Sequence, residues 1–266
     1  MDQKRKNLET FDEKLNEILA NFQNEKDSEL LKKLLTTLDK TITYLDKEEE
    51  EKFESDLQSF VTTRVSEIKK EETPQTLEPN PKVILHLIPL NTFERNYQSI
   101  DIKDLHHSSS LLAPLATFSY DYKYNFDGYV TYNKNGYTQL FRKGYIEAVS
   151  GRFYNENSKN IYITEFERSI IQNVGQYMKV LNTLDIQNPF YIYITLTNVK
   201  GYTLGTSYTN FSDSNEIDKQ DISLPRVLLE DPENIALPLK ATFDVLWNSG
   251  GAPESINYQN GEWKPR

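Results

Sequence analysis

Residues 125–151 read NFDGYVTYNKNGYTQLFRKGYIEAVSG and carry the clearest pattern of β-strands and turns in the chain. This stretch contains three segments rich in β-branched and aromatic residues, a composition that suits a half-buried pleated surface. Residues 133–136 and 142–144 separate these segments and supply turns, because Asn and Gly tolerate a positive φ that other residues avoid. The stretch therefore predicts a three-stranded β-meander, with strands at residues 128–132, 137–141 and 145–149.

Charged side chains are concentrated at the turn ends of this meander. One hypothesis is a ligand-binding site formed by Asp127, Arg142 and Lys143, in which the planar guanidinium of Arg142 holds a carboxylate or a phosphate. The alternative is that the turns simply keep their charges in water, with one cross-strand ion pair in addition. The sequence leaves both interpretations open.

The composition limits the classes of function. The chain has 266 residues, enough for one large or two modest domains, and it has no cysteine, so disulfides, thiolate metal sites and a cysteine nucleophile are excluded. A net charge of −10 argues against a general nucleic-acid binder, although local binding through tyrosines and the residue 142–143 turn stays an alternative that is not favoured. No apolar run approaches the roughly 20 residues that cross a bilayer, and the start is not a secretory signal. We expect a cytoplasmic protein without a membrane segment.

Residues 1–72 form a separate compositional block. They are rich in Lys, Glu and Leu, and apolar residues recur at steps of three and four, which predicts three amphipathic helices. The heptad is not sustained, which favours a small antiparallel bundle over a long coiled coil. The apolar stripes predict either an oligomerisation or partner-docking segment, or a bundle that is simply a domain of its own.

Three prolines within residues 73–81 predict a linker and a domain boundary. After it, the pattern predicts a buried strand at 83–90, a helix at 164–181 opened by a capping box of Thr164 and Glu167, a strand at 190–196 and a last helix at 237–247. The order of elements predicts an α+β domain over residues 82–251 with a mainly antiparallel sheet. Residues 252–266 are expected to form a loosely ordered tail.

Candidate catalytic groups are few. His86 lies inside the apolar run of the first strand, where a buried neutral histidine is the simplest interpretation. The alternative is a hydrolase or nuclease acting on a phosphodiester or nucleotide, with Arg142 holding phosphate and Glu147 or His86 acting as general base. That alternative requires the three residues to converge on one cleft. Three histidines and no cysteine argue against a zinc site, no G-x-S-x-G nucleophile motif is present, and no metal or cofactor is expected.

Four segments taken together resemble a known family region: HLIPL at 86–90, FDGY at 126–129, YTQLFRKGYIE at 137–147 and FDVLWN at 243–248. They resemble the C-terminal region that follows the Schlafen-like AlbA_2 domain in many bacterial proteins, over about residues 82–251. The ATP or DNA binding attributed to such proteins belongs to their AlbA_2 portion, and this chain has the helical block at 1–72 in its place. The resemblance therefore implies a module of bacterial regulatory or defence proteins, and it implies no nucleotide-binding or nuclease residue here.

These observations favour a non-catalytic sensing or scaffolding subunit. Its helical segment would join a protein partner or further copies of the chain, and its α+β domain would recognise a ligand.

Overall fold

The computed structural model describes residues 32, 35–36, 51–78, 81–90, 92, 99–187, 189–205 and 214–265. The chain divides into two compact units, Met1–Gln58 and Ser59–Arg266. In the first unit, residues 32, 35, 36 and 51–58 are helical. The first two predicted helices of the block at 1–72 lie almost entirely outside the described residues, so the antiparallel bundle stays a prediction.

The second unit begins with helical residues 59–69, here named α1. The division between the units falls before α1, whereas the sequence predicts a boundary at the proline-rich residues 73–81. A small apolar cluster explains why α1 groups with the sheet: the buried side chain of Ile68 packs with Ile84, Val130 and Val149 of three strands. Residues 59–72 therefore belong to the α+β unit.

The main sheet has eight strands with bounds β1 Lys82–Pro89, β2 Asp121–Tyr124, β3 Gly128–Asn133, β4 Gly136–Phe141, β5 Ile146–Ser150, β8 Phe190–Thr197, β10 Asp221–Ser223 and β11 Val227–Leu229. Seven of them lie in the order β10-β8-β1-β5-β4-β3-β2, and β11 also pairs with β8. Every pairing in this sheet is antiparallel. The predicted α+β class with a mainly antiparallel sheet is confirmed.

The meander appears as predicted in β3, β4 and β5. Two glycines explain why it closes tightly. Gly144 has φ +78°, a conformation that side chains with a Cβ adopt only at a cost. A Cβ on Gly128 would lie 2.0 Å from the carbonyl oxygen of Leu140, so only glycine allows the two backbones to approach this closely.

The two faces of the sheet have different coverings. Helices α2 (Ile163–Thr183) and α3 (Ala236–Ser249) and the 3₁₀ helix Leu105–Leu112 pack on the face that carries Val83, Leu85 and Leu87. The intervening residues of β1 point to the opposite face, where α1 packs. None of the described helices combines the length and apolar character needed to span a bilayer.

Shorter strands complete the unit. A small sheet contains β6 Tyr154–Asn155, β7 Asn160–Tyr162 and β9 Thr203–Gly205, with β7 and β9 parallel. The last strands, β12 Tyr258–Gln259 and β13 Glu262–Trp263, form a hairpin. The expected loose tail at 252–266 is wrong for its described residues, since Ser255 and Asn257 are buried.

Candidate functional site

A buried hydrogen-bond network centres on Glu147 of β5. Glu147 is opposite His86 of β1 in the strand register, and both side chains are completely buried. Arg64 of α1 donates from Nε to Oε2 and from Nη2 to Oε1, each at 2.9 Å. His86 Nε2 lies 3.0 Å from Oε2, and the Tyr137 hydroxyl donates to Oε1 at 2.7 Å. A carboxylate has about four lone-pair positions, so the acceptor capacity of Glu147 is filled.

The donors fix the charge state of Glu147. Burial by itself raises the pKa of this carboxyl, but the hydrogen bonds from His86 and Arg64 and their charges outweigh burial and lower its pKa to about 2. Because an ionised carboxylate only accepts hydrogen bonds, Nε2 of His86 carries a proton and donates it to the hydrogen bond with Glu147. Nδ1 of His86 has no hydrogen-bond partner among the described residues. Burial and the neighbouring charge of Glu147 also raise the pKa of Tyr137 well above its ordinary value.

Arg64 is the functional residue that sequence reasoning missed. It lies one helical turn from both Phe60 and Ile68, so α1 directs it at the sheet along with its apolar stripe. Burial opposes its charge, but the hydrogen bond and charge of Glu147 raise the pKa of Arg64 above its ordinary range. Its guanidinium also lies 5.4 Å from the centroid of the Phe141 ring. An arginine inside an apolar helical stripe was the available signal, because a charge on a buried face requires a partner.

A surface pocket of about 600 Å³ lies next to this network. Its walls are Arg64, Phe126, Asp127, Phe141, Arg142, Lys143 and Tyr145. A second recess of about 290 Å³ shares Arg64, Asp127 and Phe141 with it and extends to residues 71–74. The three predicted ligand-binding residues thus line one pocket, together with a residue of α1.

The charges of this pocket are available to a ligand. Asp127, Arg142 and Lys143 are exposed, and none of them forms an ion pair within the part of the chain that the structure describes. The backbone N–H of Arg142 donates to the Asp127 carbonyl at 2.8 Å, which fixes the turn, and Arg142 Nε lies 3.3 Å from the Phe126 carbonyl oxygen. No ion pair joins these three turn residues in the described ranges, and the alternative that the turns keep their charges in water stays a prediction beside the ligand site.

Aromatic rings form the apolar walls of the pocket. Phe141 and Tyr145 stack with their centroids 4.3 Å apart and their planes at 19°. Phe126 lies at the rim with 94 % of its surface exposed. An aromatic wall beside two cationic side chains can hold a ligand that has both a flat apolar part and a negative charge.

The structure separates the three candidate catalytic residues. His86 and Glu147 are joined in the buried network, whereas Arg142 lies at the pocket, which neither of them lines. No hydrogen bond or ion pair joins Arg142 to either residue in the described ranges. The convergence that a hydrolase or nuclease site requires is absent from this arrangement, and Glu147 has no acceptor position left for a substrate proton.

A second buried carboxylate, Glu167 of α2, holds the C-terminal segment. It accepts hydrogen bonds from Trp247 Nε1 at 2.7 Å and from the Ser255 hydroxyl, the Asn257 amide and Trp263 Nε1 at 2.8 Å each. Burial raises the pKa of Glu167, and these four donors only partly offset that rise. The predicted capping box is wrong, because α2 begins at Ile163 without a side-chain cap and Glu167 contacts the C-terminal segment instead.

Comparison with protein-family models, with curated proteins and with solved structures finds no match for this chain. The resemblance to the region after the Schlafen-like AlbA_2 domain stays a prediction. Among the described residues, no group of three or more His, Asp or Glu side chains is placed to hold a metal ion.

Proposed function

We propose that this chain is a non-catalytic sensing or scaffolding subunit whose pocket beside the β4–β5 turn binds an anionic ligand with a flat apolar part. The observation that carries the proposal is that Arg142 and Lys143 line an open pocket without ion-pair partners among the described residues. The nearest buried acid, Glu147, is already saturated by four donors. The side chains of Arg142 and Lys143 can therefore bind a ligand, whereas Glu147 stabilises the fold.

The chemistry of the walls supports this ligand class. The planar fork of Arg142 suits a carboxylate or phosphate, and Lys143 adds a second positive charge at the same turn. The ring of Phe126, 94 % exposed at the rim, offers an apolar surface for the flat part, and the buried stack of Phe141 and Tyr145 forms the wall behind it. Asp127 accepts hydrogen bonds and would favour a ligand that also carries a donor group.

Arg64 supports a sensing role. It lines the pocket and at the same time anchors α1 to the sheet through Glu147. A ligand in the pocket would therefore contact a side chain that holds α1 in place. This gives ligand binding a physical route to the helical part of the chain.

The wider assignment rests on the sequence. Residues 1–58, the part of the predicted helical segment that lies outside the α+β unit, would join a protein partner or further copies of the chain through their apolar stripes. The family resemblance supports a bacterial regulatory or defence complex, and the cytoplasm is the location that the sequence predicts. Pull-down of the full chain from its native host, compared with a chain whose stripe residues Leu30, Leu34 and Leu38 are replaced by Gln, tests the assembly role. The proposal is contradicted if both chains recover the same proteins and have the same oligomeric mass.

Isothermal titration calorimetry tests the pocket with inorganic phosphate, nucleoside monophosphates, the matching nucleosides and aromatic carboxylates. We expect the aromatic anions to bind, and Arg142→Ala to weaken binding by about 10- to 100-fold, since a hydrogen bond to a charged group contributes about 1.5–3 kcal/mol. Arg152→Ala is the matched control, because Arg152 is also exposed at a strand end and does not line the pocket.

Two results would contradict the proposal. One is the absence of binding by every member of the panel, or equal weakening by Arg142→Ala and Arg152→Ala. The other is turnover of a bound member that Arg142→Ala abolishes, which would identify an enzyme.

A further inference from the structure

Strand β2 forms one edge of the main sheet, and β3 is its only neighbour among the described strands. The backbone N–H of Asn125 donates to the Gly128 carbonyl, which closes the β2–β3 hairpin. Because hydrogen-bonded and non-hydrogen-bonded pairs alternate in an antiparallel ladder, Asp121 and Lys123 bond to β3. The backbone groups of Tyr122 and Tyr124 therefore point outward, towards a further strand.

The sequence around β2 has a mirror symmetry about Tyr122. Residues 118–126 read FSYDYKYNF. Residues at the same distance before and after Tyr122 are therefore of the same or of complementary type. Phe118 corresponds to Phe126, and Asp121 corresponds to Lys123. In an antiparallel pair of identical strands centred on Tyr122, corresponding residues lie opposite each other.

The exposure of the two phenylalanines calls for an explanation. Phe118 and Phe126 are the most exposed of the large apolar side chains that the structure describes, at 103 % and 94 %. They lie just beyond the two ends of β2. A partner strand that pairs with the open edge of β2 would run between these two side chains.

We propose that the β2 edge pairs with the β2 edge of a second copy of this chain, antiparallel and centred on Tyr122. The outward backbone groups of Tyr122 would exchange two hydrogen bonds with Tyr122 of the second copy. Asp121 would meet Lys123 of the second copy, and the reverse pair forms by symmetry. Phe118 and Phe126 flank the paired segment, in the bend before β2 and in the β2–β3 turn.

The charges of Asp121 and Lys123 favour the register centred on Tyr122 and a second copy of this chain as the partner. Asp121 has no ion pair in the described part of the chain, whereas Lys123 lies 4.6 Å from the Tyr132 ring centroid on the sheet and keeps its charge available. Shifting the centre by one residue to Lys123 would place two lysines opposite each other, which is unfavourable. A two-fold contact in which each copy presents the same patch is also the commonest arrangement of protein oligomers. The surface lies outside residues 1–72, so it is independent of the predicted helical assembly, and it does not depend on the proposed ligand.

A single cysteine tests the register, because the natural chain has none. In the proposed pair, the Cα atoms of residue 122 in the two copies lie about 5.5 Å apart, which a disulfide can bridge. The matched control is Tyr124→Cys, since Tyr122 and Tyr124 are similarly exposed at 51 % and 44 %. The Cα atoms of residue 124 would lie roughly 14 Å apart, beyond the reach of a disulfide.

We expect full-length Tyr122→Cys to form a covalent dimer under mild oxidation at least about tenfold faster than Tyr124→Cys, because only the first pair fits disulfide geometry. Non-reducing gel electrophoresis follows the reaction. Equal rates for the two variants, or no dimer from Tyr122→Cys, would overturn the proposal.

Charge exchange in the Tyr122→Cys background tests the pairing of Asp121 with Lys123. D121K alone and K123D alone should each slow cross-linking, because each places like charges opposite each other. An equimolar mixture of the two should restore it as a mixed dimer, which its mass identifies. If the mixture cross-links no faster than either variant alone, the proposed pairing of Asp121 with Lys123 is refuted.

Discussion

Glu147 and Glu167 are both completely buried and both accept four hydrogen bonds, yet their pKa values shift in opposite directions. The donors to Glu147 include the Arg64 guanidinium, whereas all four donors to Glu167 are neutral groups. The two carboxyls thus accept equal numbers of hydrogen bonds, yet one pKa is lowered and the other is raised. Burial raises the pKa of both carboxyls, and only at Glu147, where one donor is a guanidinium, do the donors outweigh burial.

The two networks have the same structural task. Arg64 and Glu147 lie 83 residues apart and attach α1 to the sheet. Trp263 and Glu167 lie 96 residues apart and attach the C-terminal hairpin to α2. Each glutamate thus fixes a peripheral segment of the second unit to its core.

The largest expected effect comes from Glu147→Gln. The substitution removes the negative charge and leaves the Arg64 guanidinium without its main partner, so we expect the free energy of unfolding to fall by about 3–5 kcal/mol. Urea denaturation measures the change. Glu67→Gln is the control, since Glu67 also contacts Arg64 but is 31 % exposed, and we expect less than about 1 kcal/mol there. Equal losses of unfolding free energy for the two variants would show that the burial of Glu147 does not determine its contribution to stability.

A smaller effect is expected for Glu167→Gln. Its amide group would face two donors, which costs about 1–3 kcal/mol because the donors are left unsatisfied. The chain has two tryptophans, and both donate to Glu167, so tryptophan emission should change in this variant and stay nearly unchanged in Glu147→Gln. Glu165→Gln is the matched control on the same helix, since Glu165 is 42 % exposed. An emission change as large in the control would contradict this role of Glu167.

The smallest effect is the pH dependence, and its sign differs between the two glutamates. Since the pKa of Glu147 is about 2 in the folded chain and 4.5 as its ordinary value, its stabilising contribution is complete above pH 4.5 and is lost as the pH falls towards 2. The pKa of Glu167 is raised, so its contribution is complete below pH 4.5 and is lost as the pH rises through the folded value.

Unfolding free energies from pH 3 to pH 8 therefore distinguish the two networks. The loss caused by Glu147→Gln should shrink towards pH 3, whereas the loss caused by Glu167→Gln should be largest there. We expect the second difference to be the smaller of the two, because the four neutral donors partly offset the effect of burial on the pKa of Glu167. The same pH dependence in both variants would show that the donor sets do not set the two pKa values.

The local elements could be predicted from the amino-acid sequence. The meander, the strand around His86, the long helix from Ile163 and the last helix before Gly250 follow from apolar periodicity and turn residues, which act over a few positions. The pocket residues Asp127, Arg142 and Lys143 were predictable because they lie in the turns that flank β3 and β4, whose ends at Gly128 and Phe141 are paired. Short edge strands such as β2 escaped prediction, since their residues are exposed on both sides and carry no clear alternation.

The partners of the charged side chains are visible only in the folded chain. Folding brought Arg64 to Glu147, took Glu167 from a predicted cap to the C-terminal segment, and left Arg142 at the pocket away from His86. These pairings span 80 residues or more in the two networks, and no local pattern encodes them. The physical reason is that a buried charge can be satisfied by any donor that folding brings within about 3 Å, whereas helices and strands follow from neighbours along the chain.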